Sequence, residues 1–185
     1  MFNVNDIKNG MTILFEDSIY TVLEFSHVKP GKGAAFVQVK LKNLRTGSIV
    51  EKRFNSGVKL EKAMIEKKNM QYLYEASGVY TFMDNETYEQ LELTESQLGN
   101  DKYYLKNGLE VIVSLYQGEV LGVILPEKVE LEIIATEPAV KGNTTNNAQK
   151  DATVETGLMV RVPLFIEQGE KILVSTKDGS YASRA

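Results

Sequence analysis

Apolar and polar residues alternate in short runs along most of the chain, and long helical periods are missing. In Phe36-Val37-Gln38-Val39-Lys40-Leu41-Lys42, an extended backbone puts Val37, Val39 and Leu41 on one side and Gln38, Lys40 and Lys42 on the other. A period of two marks a strand with one buried face. Similar runs predict strands over 12–15, 19–25, 49–54, 71–74, 80–84, 109–116, 119–125, 129–135, 157–163 and 171–176. Between them stand turn signals: Asn9-Gly10, Arg45-Thr46-Gly47, Asp84-Asn85, Asn107-Gly108, Gln117-Gly118, Gln168-Gly169 and Asp178-Gly179. Short strands at this spacing form antiparallel barrels or sandwiches, so the expected class is all-β. Helix has one good candidate, in which Thr94 caps, Gln97 occupies the capping-box position and Gly99 terminates.

Two interruptions cut this pattern. The charged stretch 59–69 separates basic strands from a tyrosine-rich middle, and Pro126 breaks two strong strand patterns. The expected domains are therefore 1–63, 64–126 and 127–185, each about 60 residues, a size at which a small barrel just forms its own core. The polar run 141–150 has no apolar period and is expected to be a long exposed loop in the last domain.

Charge follows the same division. The net charge is −4, but the three segments carry +4, −6 and −2, so a basic module is joined to acidic ones. Cysteine is absent and His27 is the one histidine, which excludes disulfides, thiol nucleophiles and thiolate metal sites and leaves almost nothing for imidazole ligation. His27 reads as a strand-end or RNA-facing residue rather than a catalytic base. No metal and no cofactor are expected. No window approaches 18 uninterrupted apolar residues, and the N-terminus lacks the basic-then-apolar order of a signal peptide, so the expectation is a soluble cytoplasmic protein with no membrane contact.

The loop Lys29-Pro30-Gly31-Lys32-Gly33 lies between two of the predicted strands. Pro30 stiffens its start and biases Lys29 toward extended geometry. Gly31 and Gly33 permit a tight turn with a bare backbone, which leaves Lys32 presented at the tip. On its own the motif also fits a basic hairpin turn.

Longer runs extend the pattern. Residues 28–37 and 41–47 in the first segment, then 150–166, 169–172 and 178–181 in the last, resemble bacterial elongation factor P in order and spacing from end to end. That family is related to the hypusine-bearing translation factor of eukaryotes and archaea. The resemblance implies an SH3-like (KOW-type) N-terminal barrel followed by two OB-folds, arranged as an L that imitates tRNA. It implies a non-enzymatic elongation factor that binds both ribosomal subunits between the P and E sites and relieves stalling at consecutive prolines. Lys32 matches the lysine that a modifying enzyme extends in many members, and that reaches toward P-site peptidyl-tRNA. Lys29, Pro30, Gly31 and Gly33 frame it. Gly142, Asn143, Thr144 and Thr145 fall where many members have Gly-Asp-Thr-Thr, an element meeting the E-site mRNA codon; Asn143 removes a negative charge there. Tyr181 and Arg184 match C-terminal residues that meet tRNA or the small subunit. In the basic segment, Lys29, Lys40, Lys42, Arg45 and Arg53 are candidate RNA-backbone contacts. The expected state is a monomer.

Rival readings are weaker on the residues. A nucleotide-binding enzyme would need Ser or Thr after Lys32 and a following helix, whereas Gly33 and a strand follow. A glycosidase-like carboxylate pair has nothing to place two acids in one apolar pocket. A generic OB-fold RNA-binding protein would use Tyr72, Tyr74, Tyr80, Phe82, Tyr103 and Tyr104 as stacking platforms, against the alternative that they fill the barrel core and rim. Within the family, an elongation factor P-like paralogue with a different stalling spectrum is the nearest alternative.

Overall fold

The computed structural model describes residues 1–138 and 148–185. Its alternating runs form strands that pair antiparallel in three sheets, as the period of two requires. The first sheet contains β1 (Phe2–Asn3), β2 (Thr12–Phe15), β3 (Ser18–Val28), β4 (Phe36–Asn43), β5 (Ile49–Asn55) and β6 (Lys59–Lys62), in the order β1-β6-β2-β3-β4-β5. On β4 the apolar side is buried as expected: Val37, Val39 and Leu41 are at most 1% exposed. They pack with Val4, Ile7, Ile13, Val22, Phe54 and Leu60, and each such buried side chain contributes roughly 1.5–3 kcal/mol of transfer free energy. Phe15 meets Phe54 edge to face at 5.1 Å between ring centres. A register shift between Val22 and Glu24 bends the long β3 strand where it runs toward the Lys32 loop.

The second sheet contains β7 (Glu66–Ala76), β8 (Val79–Asp84), β9 (Gln90–Thr94), β10 (Glu110–Tyr116) and β11 (Glu119–Ile124), in the order β11-β10-β7-β8-β9. Between β9 and β10 lies the short helix α1 (Glu95–Leu98). Its cap is the expected one: the Thr94 side chain accepts from the Gln97 N–H, the Gln97 side chain accepts from the Thr94 N–H at 2.8 Å, and Gly99 is the C-cap. Residues 99–104 continue as a 3-10 turn.

The third sheet contains β12 (Lys128–Thr136), β13 (Gln149–Val154), β14 (Met159–Pro163), β15 (Lys171–Ser175) and β16 (Tyr181–Arg184), in the order β14-β13-β12-β15-β16. Val129, Leu131, Ile133, Val154, Val162, Ile166, Ile172 and Val174 form its core. Tyr104 from the 3-10 turn is buried in that same core. The chain divides into two compact units, residues 1–67 with 114–122, and residues 68–113 with 123–185.

Two polar stretches differ from their sequence reading. Within 59–69, Lys59–Lys62 form β6 and Glu66 opens β7, because β6 pairs through backbone groups with β1 and β2 while Lys59, Glu61 and Lys62 stay in solvent. At the end of 141–150, Gln149 and Lys150 belong to β13, and Lys150, opposite Val162, is only 6% exposed. Its long methylene stem accounts for that burial.

Candidate functional site

The β3–β4 hairpin is the most prominent presented feature. Its ladder runs through His27↔Val37 to Val28↔Phe36, so two paired strands hold the loop 29–35 at its base. Residues 29–34 are all exposed. The far end is tied down by the Ser56 N–H, which donates to the Ala35 carbonyl at 3.0 Å. Among the described residues no hydrogen bond or ion pair holds the Lys32 ammonium. The two glycines differ: Gly33 has φ +105°, a conformation that L side chains rarely adopt, whereas Gly31 lies outside that region and has nothing within 4 Å of its Cβ position. Gly33 is therefore a backbone requirement of the turn. Gly31 leaves open space beside Lys32.

The outward face of the same sheet carries the basic candidates with acidic neighbours among them. Arg53 lies opposite Gln38, with its guanidinium 4.1 Å from the centre of the Phe36 ring. Lys40 stands between Glu24 on β3 and Glu51 on β5 in register. Lys42 lies between Thr21 and Ile49, with no acid directly opposite. Lys29, Lys32, Lys42 and Arg53 thus remain exposed cations on one hairpin and its neighbouring strand.

Arg45 is placed differently. It sits in the β4–β5 turn, and its guanidinium grips the Glu119 carboxylate, with Nε to Oε1 at 3.1 Å and Nη2 to Oε2 at 2.9 Å. Nη1 donates to the Asp17 carbonyl at 3.3 Å. The hydrogen bond from Arg45 holds the Glu119 carboxyl below the usual carboxylate range. Sequence reading missed Glu119, since 74 positions separate the partners and only the fold brings them together.

In the third sheet, Tyr181 lies on β16 and packs against the core, half-buried. Arg184 donates to Glu170 at 3.2 Å and lies 4.6 Å from the centre of the Phe165 ring, which is 57% exposed. Phe165 was another residue that no sequence motif singled out. Gly142, Asn143, Thr144 and Thr145 fall outside the described residues.

The middle tyrosines are mainly structural. Tyr72, Phe82 and Tyr104 are buried, and Tyr74 is the exposed member of the group. Tyr72 packs on Phe82 at 5.5 Å, and burial, aided by Tyr80 and Glu75, pushes its hydroxyl up to about 12. Among the described residues no cluster of three or more His, Asp or Glu side chains could hold a metal, and no helix is long and apolar enough to cross a membrane.

Three family models match in succession along nearly the whole chain. They are the elongation factor P (EF-P) KOW-like domain over residues 3–60, the elongation factor P (EF-P) OB domain over 65–123, and the elongation factor P C-terminal domain over 129–184. Among solved structures, the chain is similar to a eukaryotic translation initiation factor 5A from Methanococcus jannaschii, at 26% identity and a TM-score of 0.55. That match covers 64% of this chain and 88% of the other. An initiation factor eif-5a family protein from Naegleria fowleri shares the fold at 16% identity and a TM-score of 0.54, over 66% of this chain and 94% of the other. With the KOW-like and OB modules matched in order over an all-β chain, this protein belongs to the elongation factor P family of translation elongation factors.

Proposed function

We propose that this factor binds the ribosome between the P and E sites and uses the Lys32 loop to position P-site peptidyl-tRNA, relieving stalls at consecutive prolines. The observation that carries this reading is the β3–β4 hairpin. It presents an ammonium with no ion pair among the described residues, on an exposed tip braced by a paired ladder, within the span that matches the KOW-like domain. An ammonium on a flexible stem engages phosphate as a point charge. Proline is a poor acceptor because its ring restricts geometry, so holding the reactants in a productive arrangement recovers rate without an acid, base or nucleophile from this chain. The factor is accordingly not an enzyme.

In this reading the chain works as three modules, 1–63, 64–126 and 127–185, with matched family spans that fall inside those bounds in support. Lys29, Lys42 and Arg53 supply backbone contacts beside Lys32. The Gly142–Thr145 element meets the E-site codon, and Tyr181 and Arg184 face tRNA or the small subunit. A lysine-modifying enzyme extends Lys32, and the protein acts as a cytoplasmic monomer. In a reconstituted synthesis assay on a consecutive-proline template, Lys32→Ala is expected to abolish stall relief with the fold intact. Full relief by that variant would refute the reading.

A further inference from the structure

Three turns of the first unit converge on one side chain. Arg45 projects from the β4–β5 turn, receives Glu119 from the start of β11, and donates to the carbonyl of Asp17 in the β2–β3 turn. Two of these turns are tight: Glu16, Asp17 and Gln117 all have positive φ, so their carbonyls and flanking side chains are held in fixed directions. The contact between Arg45 and Glu119 is two-pronged, as a planar fork makes with a carboxylate. Yet both partners are open to solvent, with side chains 40% and 50% exposed. Water screens a pair this open to solvent, so another anion of matching shape can displace the carboxylate. A phosphodiester is such an anion.

We infer that Glu119 acts as an internal phosphate mimic: it occupies the Arg45 fork in the free protein and yields it to an RNA phosphate on binding, which releases the β10–β11 turn. The inference rests on the RNA-facing role proposed for the first module. It explains why the one arginine of that turn is held by an acid while, among the described residues, Lys32, Lys42 and Arg53 have no ion pair. The carboxylate keeps the guanidinium extended and oriented, so less side-chain freedom is lost when phosphate replaces it. It also weakens adventitious binding to short anions, since each must first displace Glu119.

The test uses the full-length protein and a 20-nucleotide RNA hairpin, with affinity read by fluorescence anisotropy at fixed salt. Glu119→Gln is expected to tighten binding about two- to fivefold, the range of an exposed ion pair. Arg45→Gln should weaken it, and adding Glu119→Gln to Arg45→Gln should change nothing further. An equal gain in both backgrounds would mean that Glu119 acts by general charge alone and would overturn the inference, as would the absence of measurable RNA binding by either the wild type or Glu119→Gln. Amide hydrogen exchange in the free protein gives the second reading. Residues 116–119 should exchange faster in both single variants and in wild type with RNA bound; unchanged rates in all of these would remove the clamp. Inorganic phosphate at equal phosphate concentration is expected to leave those rates as they are, and acceleration by it would overturn the assignment to an RNA backbone. Failure of Lys32→Ala to block stall relief would strike the proposed function while leaving this epistasis standing, so the two failures are distinguishable.

Discussion

The hydroxyl of Tyr104 lies 3.0 Å from the position a Cβ would take on Gly179. Tyr104 belongs to the middle third of the sequence but is buried in the core of the third sheet, and Gly179 lies in the β15–β16 turn of that sheet. Gly179 also has φ +75°, which an alanine adopts only under strain. Gly179→Ala is therefore expected to destabilise the fold by about 1–3 kcal/mol, from backbone strain and displacement of a buried ring. Urea unfolding checks this, and pairing it with Tyr104→Phe should recover part of the loss. A cost below ~0.5 kcal/mol would show that the turn relaxes freely.

The two glycines of the Lys32 loop should separate structure from function. Gly33→Ala places a Cβ at φ +105° and is expected to cost about 1–2 kcal/mol. Gly31→Ala meets nothing within 4 Å and should leave stability unchanged within ~0.5 kcal/mol. Any loss of stall relief in Gly31→Ala then reports a surface outside this chain that approaches the bare backbone. Equal unfolding midpoints for the two variants would contradict the assignment of Gly33 as the strained position.

Asp84 predicts a pH dependence. Its carboxylate accepts from the Glu86 N–H at 2.8 Å and the Thr87 N–H at 3.3 Å, with Lys68 at 4.0 Å, and these hold it below the usual range, against a smaller opposing effect of burial. A lowered folded value means that ionised Asp84 stabilises the fold above its unfolded value of about 3.9 and loses that contribution as pH falls through the lower folded value. The stability difference between wild type and Asp84→Asn, measured by urea unfolding from pH 6 down to pH 2, should shrink over the acid end. A difference that stays constant with pH would exclude the charge as its source.

The cap of α1 gives a local stability prediction. The helix has four residues, so the reciprocal Thr94 and Gln97 bonds are a large share of what holds it. Thr94→Ala should cost about 1 kcal/mol in urea unfolding, and Thr94→Ser much less. Equal losses for the two would point to the Thr94 methyl group rather than the hydroxyl.

Legibility differed from element to element for a physical reason. Where a strand buries one face, side-chain alternation records it, and so 12–15, 36–42 and 80–84 were readable as written. The capping box of α1 was readable for the same local reason, since all its atoms lie within four residues. β6 was not, because Lys59, Glu61 and Lys62 leave its pairing to backbone groups that no side chain reports. Likewise, no strand was read over Gln149–Val154, because Lys150 stands on its buried face beside Ala152 and Val154 and hides the alternation.

The sequence by itself determined an all-β chain, turns at its Gly-containing dipeptides, and a lysine framed by Pro30, Gly31 and Gly33, because each is written in neighbouring residues. Only the tertiary structure decided that Gly33 rather than Gly31 carries the positive φ, that Tyr104 serves the third core, and that Arg45 is held by Glu119 while Lys32 has no ion pair among the described residues. Those outcomes depend on groups far apart in sequence meeting at a few ångströms, where packing and charge pairing act. The presented lysine was therefore visible in the chain, and the carboxylate that holds Arg45, at the opposite end of β4, was not.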